Sequence, residues 1–149
     1  MAPGEGAAAI MAEAQDGKVL VIPCSGVGKV HGLMAREVTY RVVDALEPGA
    51  SNTLCLALLV KGDEEAVGAV RTRPCITIDG CPKLCSYKNV QLAGGTIAES
   101  VCVVDALKDH KGAQPGTATE LAEEGWAITE EIAQQLAARV RELCGGEEQ

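Results

Sequence analysis

The apolar positions of this chain recur in two rhythms, and their alternation spells out a strand–helix–strand order. Lys18-Val-Leu-Val-Ile-Pro23 is apolar at consecutive positions, as a strand covered on both faces must be. The turn Cys24-Ser25-Gly26-Val27-Gly28 follows it. Over residues 33–46, Met34, Val38, Val42 and Leu46 recur every fourth position while Arg36, Glu37, Arg41 and Asp44 face elsewhere, which predicts an amphipathic helix stopped by Glu47-Pro48-Gly49. Strand, glycine turn and helix in that order require a second strand parallel to the first, and Thr53-Leu-Cys55-Leu supplies it. Periodicity leaves its end open. Residues 54–60 read either as one long strand with Cys55 near its start, or as a short strand ending at Cys55 with the chain turning away.

A weak helix over residues 63–70 leads to Cys75-Ile-Thr-Ile-Asp79, whose β-branched centre predicts a buried strand. Gly80 permits a tight turn and Pro82 suits the first position of a helix, so Cys81 is expected at the N-cap and Cys85 one turn above it. Unpaired N–H groups and the helix dipole at such an end favour thiolate, the form that binds metal or attacks an electrophile. Gly94-Gly95 marks a turn, residues 100–105 a fourth strand, and residues 108–116 a polar loop. A short helix is expected over residues 119–124, closed by Gly125. Ile128, Ile132, Leu136, Val140 and Leu143 then define a final helix ended by Gly145-Gly146. The reading is a single three-layer α/β/α domain over residues 17–146, with a small, mostly parallel, Rossmann-like sheet. A flexible tail (residues 1–16) precedes it and a short C-terminal tail (147–149) follows.

Composition narrows the function. The 149 residues are 47% hydrophobic yet include no Phe, one Trp and two Tyr, so the core must be built from aliphatic side chains, as in helices packed on a parallel sheet. A net charge of −8 and the lack of aromatic platforms speak against nucleic acid as a partner. No apolar run approaches the ~20 residues of a spanning helix, and the N-terminus lacks the basic region of a signal peptide, so no membrane role is expected. Seven cysteines without an export signal point to the cytoplasm and to reduced or metal-bound thiols rather than a disulfide framework.

In an open parallel sheet, ligands bind where loops leave the carboxyl ends of the strands. Cys24 and Cys81 belong to those ends, Cys85 lies one helical turn away, and Cys55 joins them if its strand is short. Four thiols would suffice for a tetrahedral metal site. Cys75 at the opposite edge, Cys102 inside a strand and Cys144 near the end of the last helix read as packing residues or a surface thiol. The paired Cys-x2-Cys knuckles of common zinc sites are absent.

Cys24-Ser25-Gly26 after the first strand, Cys55-Leu56-Ala57 after the second and Asp79-Gly80-Cys81-Pro82-x-x-Cys85 after the third resemble the DGC domain family, named for its Asp-Gly-Cys motif. The resemblance covers roughly residues 18–107 and implies that Cys24, Cys55, Cys81 and Cys85 are the family's four cysteines, proposed to bind zinc. It also favours the short second strand. Leu58 departs from the glycine usual after the Cys-Leu-Ala turn.

Other features are less informative. Gly26-Val-Gly28-Lys29 lacks the spacing and the Ser/Thr of a phosphate loop and reads better as a glycine turn that lets backbone approach the thiols. His31 is close enough in sequence to Cys24 to serve as a ligand or base, but it has no counterpart in the family pattern and is expected to face solvent at a helix start; His110 sits in a polar loop. Asp79 is expected to bond backbone N–H groups. Lys29, Lys83 and Lys88 would offset the two negative charges left over by four thiolates on a divalent ion. The expected function is metal binding, with zinc in a structural, storage or delivery role. The alternatives are a thiol redox or thiol-transfer enzyme using Cys81 and Cys85, which leaves catalysis open, and an iron–sulfur protein. The metal ion is the one partner the sequence names; it identifies no protein partner and sets no oligomeric state.

Overall fold

A computed structural model describes residues 18–148; the tail expected over residues 1–16 lies outside the described residues. Strand β1 (Val19–Pro23) is followed by helix α1 (Val30–Arg41), which passes into a π-helical turn at Val42–Leu46 before Pro48. Then come β2 (Ser51–Asn52), α2 (Leu56–Lys61), α3 (Glu64–Thr72), β3 (Pro74–Asp79), α4 (Cys85–Leu92) and β4 (Thr96–Cys102). A helical turn, α5 (Val103–Ala106), and the long α6 (Glu123–Glu148) complete the fold. The four strands are parallel in the order β2-β1-β3-β4. The chain leaves β1 towards β2 on one side and returns to β3 on the other, so the direction of winding reverses between β1 and β3. This is the place where such sheets open a crevice.

Strand β1 shows why helices cover both faces. Val19 and Val21 enter one core with Met34, Val38, Ile76, Ile78, Ile132, Leu136 and Val140. Leu20 and Ile22 enter the other with Leu54, Leu59, Ala66, Val70, Cys75 and Val90. Alternate side chains of a strand point to opposite faces, so consecutive apolar residues demand cover on each. Full burial of those four side chains removes about 2 kcal/mol of apolar exposure each, as an upper bound, which fixes β1 at the centre of the sheet. Helices α1, α5 and α6 form one outer layer, and α2, α3 and α4 the other.

Several expected boundaries move. The second strand, expected over residues 53–56, lies instead at Ser51–Asn52, where it pairs with Val19 and Leu20, and Cys55 becomes the N-cap residue of α2. The fourth strand was expected at residues 100–105 but occupies Thr96–Cys102: β4 pairs with β3 until Asp79 faces Cys102, and Val103 then turns into α5 to be buried. The helix expected over residues 119–124 does not form. There Thr117 Oγ1 accepts the N–H groups of Thr119 and Glu120, and Leu121 bridges back to Gly116, a side-chain turn that competes with helix. Gly125 lies inside α6, against the Pro115 carbonyl, where a β-carbon would not fit. The last helix continues through Gly145-Gly146 to Glu148, into the expected C-terminal tail. Among the described residues, no helix is long and apolar enough to cross a membrane.

Candidate metal centre

Cys24 follows β1 directly, and its N–H donates to the Ile78 carbonyl at 2.9 Å, extending the β1–β3 pairing by one residue to place the thiol at the carboxyl edge. Gly26 and Gly28 then take φ of +73° and +104°, conformations that L side chains rarely adopt, and swing the chain back to start α1 after Lys29. An Arg36 guanidinium N–H ties this loop to α1 by donating to the Ser25 carbonyl at 2.7 Å. From the neighbouring strand, Asp79-Gly80 leads into the turn that carries Cys81.

The join between these two loops is made of glycine. A β-carbon on Gly80 would stand 2.6 Å from Gly32 N and 2.7 Å from the His31 carbonyl carbon; one on Gly32 would stand 3.0 Å from Gly26 Cα. Backbone therefore packs on backbone beneath the thiols, at distances that only hydrogen side chains allow.

The expected helix start is wrong by about one turn. Residues 81–84 form a turn, Leu84 takes the left-handed conformation with φ of +52°, and the helix begins at Cys85 rather than at Pro82. Cys81 is thus not the N-cap. Buried Asp79 takes that role from outside the helix, with Oδ1 accepting the Ser86 N–H at 2.7 Å and Oδ2 the Tyr87 N–H at 3.1 Å. Its charge already answers the open donors of α4 on which a thiolate there would have relied. Burial raises the Asp79 pKa, and the two N–H donors oppose that rise. Ser86 Oγ donates to the Ile22 carbonyl at 2.7 Å, locking α4 to β1.

Cys24, Cys81 and Cys85 line one cavity of about 240 Å³, together with Gly26, Gly80, Asp79, His31, Lys29 and Lys83. Cys55 does not line it. It is exposed at the start of α2 and lines an adjoining, mostly apolar groove of about 850 Å³, which shares Cys24 and Ser25 with the cavity. Lys88 lines neither. Burial pushes the Cys24 thiol above its ordinary pKa, while the N–H groups of Gly80 and Gly26 pull it back and the Asp79 carboxylate adds to the rise. Cys75 is buried in β3 with its thiol pushed up to about 12 by burial alone. Cys102 reaches the carboxyl end of β4 without lining the cavity, and Cys144 Sγ lies 3.5 Å from the Ala50 carbonyl. Cys24, Cys55, Cys75, Cys81, Cys85 and Cys102 are in no disulfide.

His31 departs from the solvent-facing position expected of it. It is half-buried in the first turn of α1, lines the cavity, and its Nδ1 is buried with no hydrogen-bond partner. Burial, and then the nearby Lys29 ammonium, lower its pKa and favour the neutral imidazole. Its nearness to Cys24 is visible in the sequence, but its contact with the Cys81 loop joins residues about fifty positions apart and leaves no mark in the spacing.

The donor chemistry suits a soft divalent ion: three thiols and an imidazole around one cavity, with an orphaned buried nitrogen among them. Among the described residues, no three Cys, His, Asp or Glu side chains are gathered closely enough to hold an ion as they stand. A metal would therefore draw the walls of the cavity together.

No curated protein and no solved structure matches the chain. The family model of the DGC domain matches residues 20–132, a span that contains all four strands but for the first residue of β1 and every cysteine of this edge, and the chain therefore belongs to the DGC domain family.

Proposed function

We propose that this protein binds one zinc ion at the carboxyl edge of its sheet, in a structural, storage or delivery role. The observation that carries this reading is the shared cavity of Cys24, Cys81 and Cys85, reached from two different strands at the point where the winding reverses. Thiolates from separate loops are the donors zinc prefers, and Cys55 in the adjoining groove is the remaining sulfur within the family motif. Lys29 and Lys83 line the same cavity and offset the charge of metal-bound thiolates. Such reduced thiols persist in the cytoplasm, which is the compartment this reading requires. Binding would release thiol protons and order the loops, since the ligands are not gathered beforehand.

The test is zinc stoichiometry, by elemental analysis and competition with a chromophoric chelator, on protein purified without oxygen. Cys24→Ser, Cys81→Ser and Cys85→Ser should each lose tight binding, and Cys102→Ser should keep it. Full zinc content in Cys81→Ser and Cys85→Ser, with a mixed disulfide trapped only in the latter, would replace this reading with thiol redox chemistry. Brown protein containing iron and sulfide would replace it with a cluster.

A further inference from the structure

We propose that His31, and not Cys55, completes the ligand set of the ion held by Cys24, Cys81 and Cys85; this rests on the zinc-binding reading. Three observations of placement point the same way. His31 stands in the wall of the cavity that the three thiols line, whereas Cys55 opens onto the groove on the other side of Cys24. The Nδ1 atom of His31 is buried with no hydrogen-bond partner among the protein's own groups, and such an atom is available as a metal ligand. His31 is also held in register with the thiols: its carbonyl carbon lies 2.7 Å from where a Gly80 β-carbon would be, so the backbone beside Cys81 and the backbone of His31 are in direct contact. Cys55 has no such tie, being exposed at the start of a separate six-residue helix.

The charges agree. Four thiolates on a divalent ion leave two negative charges over, and three thiolates with a neutral imidazole leave one. The cavity is also lined by the buried Asp79 carboxylate and by the Lys29 and Lys83 ammonium groups, with which three thiolates and an imidazole sum to neutral while four thiolates leave a negative charge over. Three cysteines and one histidine form an ordinary tetrahedral zinc set. On binding, each thiol gives its proton to solvent and the imidazole contributes a lone pair, with no oxidation of either. Cys55 is left as a reactive thiol at the rim.

The test uses cobalt(II) as a spectroscopic stand-in for zinc in the full-length reduced protein, followed by X-ray absorption of the zinc form. Wild-type protein should show three sulfurs and one nitrogen around the metal. Cys55→Ser should keep both the spectrum and the affinity, while His31→Ala should weaken zinc at least about tenfold and shift the cobalt bands. His31→Cys should restore tight binding with a four-sulfur spectrum. Four sulfurs in the wild type, or loss of binding in Cys55→Ser with His31→Ala unaffected, would overturn the assignment while leaving zinc binding intact. The X-ray absorption count holds even if His31→Ala fails to fold. Wild-type protein that binds neither metal would sink this assignment together with the zinc-binding reading beneath it.

Discussion

Gly80→Ala is the perturbation that most directly tests how the fold builds the cavity. Gly80 does not take a positive φ, so alanine meets no backbone penalty of its own there. The obstacle is entirely steric: the new carbon would stand 2.6 Å from Gly32 N, about 0.8 Å short of the 3.4 Å at which ordinary contact begins. The next two atoms, the His31 carbonyl carbon at 2.7 Å and Gly32 Cα at 2.8 Å, are also backbone, so no side-chain rotation relieves the clash. Either α1 or the loop carrying Cys81 must move. Overpacking of this kind costs roughly 1–3 kcal/mol, against which the stiffer unfolded chain returns about 0.4–1 kcal/mol. The net loss should be about 1–2 kcal/mol, a fall in Tm of roughly 3–6 °C for a domain of this size. Gly68→Ala is the control, because Gly68 lies within α3 with open space at its β-carbon position and should gain roughly 0.5–1 kcal/mol. Thermal and urea unfolding of the metal-free proteins, followed by circular dichroism, reads both. A Gly80→Ala protein as stable as its parent would refute the claim that backbone contact at Gly32 holds the two loops together.

Three further outcomes follow from the same structure. Cys75, with its thiol near 12 against an ordinary 9.0, should carry about a thousandfold less thiolate at pH 8 than an unperturbed thiol; mass spectrometry of timed iodoacetamide labelling should find it modified well after the exposed Cys55 and Cys85, and early labelling of native protein would contradict its burial. Ser86→Ala removes the bond from α4 to the Ile22 carbonyl and should cost about 1 kcal/mol in urea unfolding, with an unchanged midpoint counting against it. Glu130, held below the ordinary carboxylate pKa by hydrogen bonds from Arg41 and then Gln134, contributes stability that is present above the ordinary carboxylate value and lost as pH falls through its own; the small stability difference between Arg41→Ala and the parent should therefore close on acidification and in high salt, and a difference constant from pH 7 to pH 3 would disprove it.

Much of the candidate site's placement was legible because it was local. Cys24 after β1, and Cys81 and Cys85 after β3, were placed by strand–turn order alone, since a parallel sheet sends every such turn to one edge. The helix start at Cys85 was not legible. Pro82 is a sound first residue of a helix, but Asp79 reaches forward from the strand end to cap α4, and a cap supplied from outside the helix leaves no mark at the usual spacing. The fourth strand was misplaced for a related reason: Val103-Val104 reads as strand, yet β4 must stop where β3 stops.

What the sequence by itself determined, then, is the central pair of strands: consecutive apolar residues in β1, a β-branched Ile-Thr-Ile centre in β3, glycine turns after them, and thiols beside those turns, all set by neighbours within a few positions. What only the tertiary structure decided is which side chains share the cavity. Cys55 falls on the far side of Cys24, and His31 enters the wall, because Gly26, Gly32 and Gly80 let the loop after β1, the start of α1 and the remote end of β3 come into backbone contact. Residues 26, 32 and 80 have no periodic relation to one another, and the absence of a side chain can be seen in a sequence while what it makes room for cannot.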